Sequence, residues 1–377
     1  MKIAQKSIKF LALALLVLIS ATSFASSTDK KHDTQNDGGR VNSKEEISDY
    51  IKHHLADSHD FTLFSYSNDA GERKHFGFSL PVILWSSKGL VAFMSSEFHH
   101  NDDGHVLVDR KGLKFAKIHS KIFELDANAS TVSFDETHHA TNAHKVLDFS
   151  ITKSVVGILI AGFLIFFGFT KLAKQYKTRD IPKGFGRVLE PLVLYVRDEI
   201  AKPNIGEKKY RKFMPYLLTV FFFIWILNLM GLTPLGFNVT GQIAVTVCLA
   251  LITLVVYITN GSKDFWAHTL WMPGVPKLLR PILAVLELAG FLLIKPFSLL
   301  VRLFANITAG HSVVMGIAAL MILLKSQFGT VGATGISFFL TLFLTVIELL
   351  VAFLQAFIFT MLSALFIGMA VEEHEHH

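Results

Sequence analysis

Long apolar runs separated by basic clusters fill the second half of this chain, whereas the first 150 residues carry short apolar runs between polar stretches. Five stretches read as membrane-spanning helices: 155–170, 215–232, 242–259, 281–324 and 336–371. A bilayer crossing takes about 20 predominantly apolar residues. The last two stretches are far longer than that, and no strong turn signal divides either one. They are therefore expected to form two long, tilted helices packed side by side. Pro296 and Gly310 bend the first without ending it, because a membrane helix tolerates proline where neighbours re-satisfy the backbone.

Charge sets the topology. Lys2, Lys6 and Lys9 precede a short apolar run, 10–19, and Ser23-Phe-Ala25 is a small-x-small cleavage signature, so 1–25 reads as a signal peptide that directs export of the segment beyond it. Lys171, Lys174, Lys177 and Arg179 come after the first span and place its far side in the cytoplasm. Residues 184–200 mix apolar positions with Arg187, Glu190, Arg197, Asp198 and Glu199, the pattern of an amphipathic interfacial helix. Lys208, Lys209, Arg211 and Lys212 hold the next turn on the cytoplasmic side, and Gly231-Leu-Thr-Pro-Leu-Gly236 makes an external turn. Lys263, Lys277 and Arg280 mark a second cytoplasmic loop flanked by Trp266 and Trp271 as interfacial anchors, which leaves the C-terminus cytoplasmic.

The polar segment 26–150 holds twelve of the seventeen histidines. Runs such as Phe61-Thr-Leu-Phe-Ser-Tyr66, Val82-Ile-Leu-Trp85, Leu90-Val-Ala-Phe-Met94 and His105-Val-Leu-Val108 suggest strands, with turns at Asn68-Asp-Ala-Gly71 and Asn101-Asp-Asp-Gly104. A small β-rich extracytoplasmic domain with partly disordered ends is expected. The pairs His53-His54, His99-His100 and His138-His139 match no metal-ligand spacing, so no metal or other cofactor is expected. Residues 151–377 form the membrane domain.

Composition adds exclusions. Hydrophobic residues make up 51% of the chain and Phe alone numbers 34, which suits an integral membrane protein. The single cysteine, Cys248, excludes a disulfide framework. The net charge of +6 is spread over loops that set topology, and no nucleic-acid motif is present. There is no Gly-x-x-x-x-Gly-Lys-[Ser/Thr] loop, so the chain is not expected to be an enzyme by itself.

The chemistry lies in the few polar residues of the last two spans. An arginine at a helix centre costs roughly 2.5–3.5 kcal/mol to insert, so Arg302 calls for a function. Apolar sequence on both sides denies it an interface to snorkel to. If the helix is continuous, Glu287 lies about 22 Å away along it, which leaves Glu348 as the one carboxylate of the membrane part able to pair with it. Asn306, four residues on, shares the face of Arg302, whereas His311, nine on, turns to the opposite face. Glu348 and Gln355, seven apart, share a face that suits a polar path. Glu and His exchange protons as their surroundings shift their pKa, and a guanidinium stays charged and acts as an electrostatic gate. Lys295, beside Pro296, is read as lining an aqueous cavity rather than the site.

These residues resemble the a subunit of the F-type ATP synthase. The resemblance rests on Leu192-Val-Leu-Tyr-Val-Arg-Asp-Glu-Ile-Ala-Lys-Pro-Asn204, Asn228-Leu-Met-Gly-Leu232, Lys295-Pro-Phe-Ser-Leu-Leu-Val-Arg-Leu-Phe-Ala-Asn-Ile-Thr-Ala-Gly310, Gln355-Ala-Phe-Ile-Phe359 and Met369-Ala-Val-Glu-Glu-His374. It implies a stator subunit beside a rotating ring of c subunits, with b subunits as further partners and two aqueous half-channels that each cross part of the membrane. Arg302 corresponds to the family's essential arginine. Asn306 and Gln355 correspond to its polar neighbours, and His311 and Glu348 to a histidine and an acid whose places interchange among members. Glu287 falls near a further acidic position. The resemblance implies H⁺ translocation in a bacterial-type inner membrane and leaves Na⁺ open. A secondary transporter binding a charged substrate at Arg302 is the alternative, against which stand the lack of an internal repeat and the unbroken C-terminal runs.

Overall fold

The structure, a computed structural model, describes residues 57–67, 73–99, 101–126, 129–135, 140–178, 181–233, 236–271, 276 and 279–372, with backbone alone at 62–67, 73–76, 311, 318–319, 321–323 and 326. The expected signal peptide, the turn at 68–71 and the histidines 53, 54, 100, 138 and 139 lie outside the described residues. The chain forms two compact units, one of residues 1–154 with 230–237 and one of residues 155–229 with 238–377.

The first unit is built from antiparallel strands. Strands β1 (Asp60–Ser67) and β2 (Arg73–Ser79) pair with each other; β3 (Pro81–Ser86) lies between β4 (Gly89–Met94) and β9 (Leu147–Asp148). A four-stranded sheet runs β5 (Asp103–Arg110), β6 (Leu113–Ile118), β7 (Lys121–Leu125) and β8 (Ala143–Lys145). All four apolar runs noted in the sequence are strands. Alternate residues of β3 and β4, Val82, Leu84, Val91 and Phe93, are buried with Phe98, Phe115 and Ile122 in one core. A buried charge fastens the sheets together. Lys117 of β6 donates to Asp60 of β1 at 3.0 Å, and Ser95 donates to the other oxygen of Asp60 at 2.6 Å. With Lys117 at 4% and Asp60 at 7% exposure, loss of either partner would strand a buried charge.

A second pair, with His59 buried and Asp148 at the surface, ties β9 to the residue before β1. His59 Nε2 lies 2.8 Å from Asp148 Oδ2, and the Ser150 backbone N–H donates to Asp148 Oδ1 at 2.8 Å. Burial works against the Asp148 carboxylate, but the bonds from His59 and Ser150 outweigh it and hold its pKa below the usual value. A lowered carboxylate pKa stabilises the fold above the unfolded-state value near about pH 4, and that stability is lost as pH falls through the folded value.

The second unit is helical. Helix α1 is Lys153–Tyr176; α2, Gly186–Tyr195, continues through a π-helical turn, Val196–Ala201, into Lys202–Ile205. Helices α3 (Tyr210–Gly231), α4 (Ile243–Thr259) and α5 (Lys263–Leu270) come next, the last two bent by 102° to each other. Helix α6, Arg280–Ala289, passes through a π-helical turn, Gly290–Ile294, into the helical run Lys295–Val371. That run breaks at Gly329 alone, where φ is 68°, giving α7 (295–328) and α8 (330–371). The two long C-terminal helices expected from the sequence are present and exceed their expected limits. Lys325, Gln327, Gly329, Gly332 and Gly335 lie between the two apolar runs, yet of these only Gly329 takes a conformation that L-residues avoid. Among the described residues four helices are long and apolar enough to cross a membrane, or five if α4 and α5 make one span.

Both π-helical turns have the same cause. Each ends at a Lys-Pro step, where the lysine N–H reaches back five residues, Lys202 to the Arg197 carbonyl and Lys295 to the Gly290 carbonyl. Pro203 and Pro296 have no N–H and their rings crowd the preceding turn, so the backbone bonds shift register ahead of them. The C-terminal end of α8 is tied down by other elements. The Ser262 N–H donates to the Ala370 carbonyl at 2.7 Å, Ser262 Oγ to the Glu372 carbonyl at 2.9 Å and Lys209 Nζ to the Val371 carbonyl at 2.7 Å. Carbonyls that the helix leaves orphaned are thereby satisfied, with a cation at the negative end of its dipole.

Helix α2 and its extension pack on α8 at the closest possible approach. Any Cβ at Gly368 would fall 1.9 Å from the Asn204 carbonyl oxygen. Gly368→Ala is expected to lower the thermal midpoint of the detergent-solubilised protein by a cost at or above the upper end of the about 1–3 kcal/mol of overpacking, because the clashing atom is backbone. Gly162→Ala, which meets nothing within 4 Å, is expected to leave it unchanged or raise it slightly. For the first unit, resistance of the full chain to urea unfolding, tracked by Trp85 fluorescence in a background with Trp225, Trp266 and Trp271 replaced by Phe, is expected to fall as pH drops below about 4 with Asp148 in place. Asp148→Asn is expected to flatten that dependence.

Candidate functional site

The site is carried by α7 and α8 and is positioned from below by the π-helical turn that starts α7. The Phe291 carbonyl has no backbone donor there, since the Lys295 N–H is taken by Gly290 and Pro296 has none. Tyr257 of α4 supplies it. Its hydroxyl donates to the Phe291 carbonyl at 2.6 Å, and its ring, 0% exposed, packs edge-on against Phe291 at 5.3 Å and Phe366 at 6.1 Å. Lys295 lies over the same rings, its Nζ 3.4 Å from the Phe291 centroid and 5.4 Å from that of Phe366. Lys295, read from the sequence as lining an aqueous cavity, is half-buried with its ammonium in a cation–π seat over these rings. Glu287, one helical segment earlier, is exposed and close enough to act electrostatically on Lys295.

From that base α7 presents two faces. Leu299, Leu303 and Ile307 are buried at 1%, 1% and 5% exposure, while Arg302 and Asn306 are exposed together. Spacings of four put each set on its own side of the helix. Arg302 makes no hydrogen bond and no ion pair among the described residues. The pairing with Glu348 that the sequence left open is therefore not formed. Glu348 is instead buried and turned to Gly310, eight residues beyond Arg302 and about 12 Å further along the helix. A methyl group at position 310 would lie 2.9 Å from Glu348 Oε1. Only glycine lets the carboxylate lie this close to the backbone of α7, next to position 311. The His311 side chain itself lies outside the described residues.

Helix α8 holds its polar residues on the inward face. Gln355 is 4% exposed, and Ala352, between it and Glu348, is 2% exposed. Asn228 of α3 fixes this stretch. Its Nδ2 donates to the Ala352 carbonyl at 3.2 Å, and its Oδ1 accepts from Thr240 at 2.8 Å. Phe353 closes the contact from the other side, edge-on to Phe221 at 5.8 Å and Trp225 at 5.7 Å, with Tyr195 of α2 at 6.2 Å. The structure brings Arg302 with Asn306 on one face of α7 and Glu348 with Gln355 on the inward face of α8. Tyr257 and the clamp role of Asn228 escaped the sequence reading. A tyrosine inside an apolar span does signal a buried hydroxyl that needs a partner, though not which partner.

Comparison with known proteins decides the family. The sequence model of the ATP synthase A chain matches residues 155–368. The chain belongs to that family. Similar relatives named ATP synthase subunit a include one from Chlorobium phaeobacteroides, 42% identical over 61% of this chain and 67% of the relative. Another, from Myxococcus xanthus, is 42% identical over 61% of this chain and 76% of its own length. A relative from Prosthecochloris aestuarii, named ATP synthase subunit a 2, is 43% identical over 65% of this chain and 75% of its length. The ATP synthase A chain match starts at the first span, earlier than the resemblance seen from residue 191 onward. Residues 50–149 match a separate domain of unknown function (DUF8433).

Tyr257→Phe keeps the ring and removes the one donor to the Phe291 carbonyl. It is expected to destabilise the protein by about 1–3 kcal/mol, the cost of a buried unpaired carbonyl, read as a lower thermal midpoint in detergent.

Proposed function

We propose that this chain is the proton-translocating stator subunit of an F-type ATP synthase, with Arg302 as the fixed charge between two half-channels. One observation carries the reading. A guanidinium stands exposed in mid-helix on an apolar element with no partner among the described residues, and facing lipid it would cost several kcal/mol. That face therefore needs a cover that offers an anion. A rotating ring of c subunits, whose members each bring a carboxylate into the membrane in this family, meets that need. Arg302 attracts the deprotonated carboxylate and keeps protons from passing directly between the half-channels. Its charge is permanent, so it gates without carrying a proton.

In this reading Glu348 and His311 exchange protons with the path on the inward side of α7, Gln355 and Asn306 line it with hydrogen-bonding groups, and Glu287 lies toward one mouth. The close seat of Glu348 against Gly310, next to His311, supports a shared role for the two titratable groups. Residues 206–212, 260–263 and 370–372 meet at one end of the helical unit through Lys209 and Ser262. The basic residues of those loops make that end cytoplasmic. The C-terminus is then cytoplasmic and residues 26–150 are extracytoplasmic, beyond a signal peptide at 1–25, in a bacterial-type inner membrane. The b subunits and lipid complete the surroundings of residues 151–377. ATP chemistry resides in partner subunits, and the transported ion is H⁺, with Na⁺ left to direct measurement. Nothing in the fold or the family favours a secondary transporter.

Arg302→Ala in the assembled complex is expected to abolish ATP-driven proton uptake into inverted membrane vesicles while the ring and b subunits still co-purify. Coupled uptake at the unsubstituted rate would overturn the gate, and absence of ring subunits from the unsubstituted preparation would overturn the stator reading.

A further inference from the structure

The sheet β4-β3-β9 is apolar on both faces. Its inward positions, Val82, Leu84, Val91 and Phe93, fill the core. On the outward face Trp85 pairs with Leu90 on one side and Leu147 on the other. One step along, Ile83 pairs with Ala92 and accepts the Phe149 N–H at 2.8 Å, so Phe149 extends the same face. Trp85 is 57%, Leu90 53%, Leu147 64% and Phe149 62% exposed. A water-facing antiparallel sheet would alternate polar residues outward. Here a tract of roughly 10 by 14 Å, from the strand spacing and rise, carries none. Such a patch marks a surface that is covered in use.

The direction in which the strand leads identifies the cover. Phe149 stands four residues before Lys153, where the first membrane-length helix begins, and four residues reach at most about 14 Å. Hydrogen bonds within the same unit shorten that tether. The Ile151 N–H donates to the Pro81 carbonyl at 3.1 Å, the Lys153 N–H to the Ser58 carbonyl at 2.9 Å and the Ser154 N–H to Asp57 Oδ1 at 3.0 Å. These bonds fix residues 151–154 to the unit that carries the apolar face, and the chain runs directly from them into the first apolar helix. Trp, Phe and Leu are the residues that settle at a bilayer boundary, where an indole ring has apolar surface and a polar N–H to place together.

We propose that the outward face of β4-β3-β9, centred on Trp85, Leu147 and Phe149, rests on the bilayer leaflet at which the first span begins, with its side chains among the headgroups and upper acyl chains. The N-terminal unit then has a second hold on the membrane besides its covalent link. It shares the logic of interfacial segments that bury one apolar face by about 5–10 Å.

The test uses the full chain in its complex, reconstituted in phosphatidylethanolamine–phosphatidylglycerol vesicles. Cys248→Ser removes the native thiol, and nitroxide labels are placed singly through Trp85→Cys, Leu147→Cys and, on the exposed polar side of β5, Asp109→Cys. The expected result is that labels at 85 and 147 are relaxed by oxygen and shielded from a water-soluble nickel chelate, with an oxygen-to-nickel accessibility ratio several-fold above that at 109. High nickel accessibility at 85 and 147 would mean a solvent-facing sheet and would overturn the proposal. Low accessibility to both reagents would mean protein cover, by a partner or by the segment before residue 57, and would overturn it too. Leu90→Cys provides a second position in the same row should label at 85 perturb the sheet.

Discussion

A carbonyl without a donor organises the membrane-type unit. In hydrocarbon no water is present to satisfy a backbone oxygen, so each one that the helix cannot serve must find a partner in the protein. The Lys295-Pro296 step creates such an oxygen at Phe291, and the Tyr257 hydroxyl answers it at 2.6 Å. This one bond couples α4 to the base of α7 and, with the rings of Phe291 and Phe366, to α8. It sets the start of α7 and with it the rotational phase of the helix. Arg302 and Asn306 emerge on the open face because that phase buries Leu299, Leu303 and Ile307. The same accounting recurs at the C-terminal end of α8, where Lys209 and Ser262 serve carbonyls that would otherwise stand alone.

Separation of charge is the consequence for function. Arg302 is a permanent cation and Glu348 a titratable carboxyl in one helix pair, and direct contact would lock them into a structural ion pair. The packing prevents it. Glu348 is drawn to the flat surface left by Gly310, a distance of about 12 Å along α7 from the arginine. Asn228 grips the Ala352 carbonyl one turn beyond Glu348 and keeps α8 from sliding or rotating. Among the described residues Arg302 has no hydrogen-bond or ion-pair partner, and Glu348 stands apart from it; in the proposed reading the first meets an external anion and the second exchanges protons. A gate beside a proton path requires both conditions at once.

The N-terminal unit uses buried charge differently. Lys117, Asp60 and Ser95 close an internal network whose members all find partners, which specifies how the sheets meet. At the surface, Asp148 bonds to His59 and ties β9, the strand that leads into the first span, to the same unit. The apolar outer face beside it, with Trp85, Leu147 and Phe149 exposed, is the surface proposed to rest on lipid.

Much of the architecture was legible in the chain because length and hydropathy suffice for it. Apolar runs with basic flanks set the spans, and the period of 3.6 put Arg302 with Asn306 and Glu348 with Gln355 on common faces. Short alternating runs announced four of the strands, whereas β6 breaks its alternation with Lys114 and Lys117, three apart, β7 is five residues with a charge at Lys121 and Glu124, and β8 and β9 are too short to signal. The helix ends were the weak point, since residues 325–335 fell outside both apolar stretches while the helical run continues through all of them but Gly329. Tertiary structure alone decided which residues meet across long separations. Tyr257 with Phe291, Asn228 with Ala352, Gly310 with Glu348 and Gly368 with Asn204 join different elements, and each is fixed by close packing or by a backbone oxygen that needs a donor. Periodicity orders the residues around one helix, but how two helices are phased against each other depends on contacts that no single stretch contains.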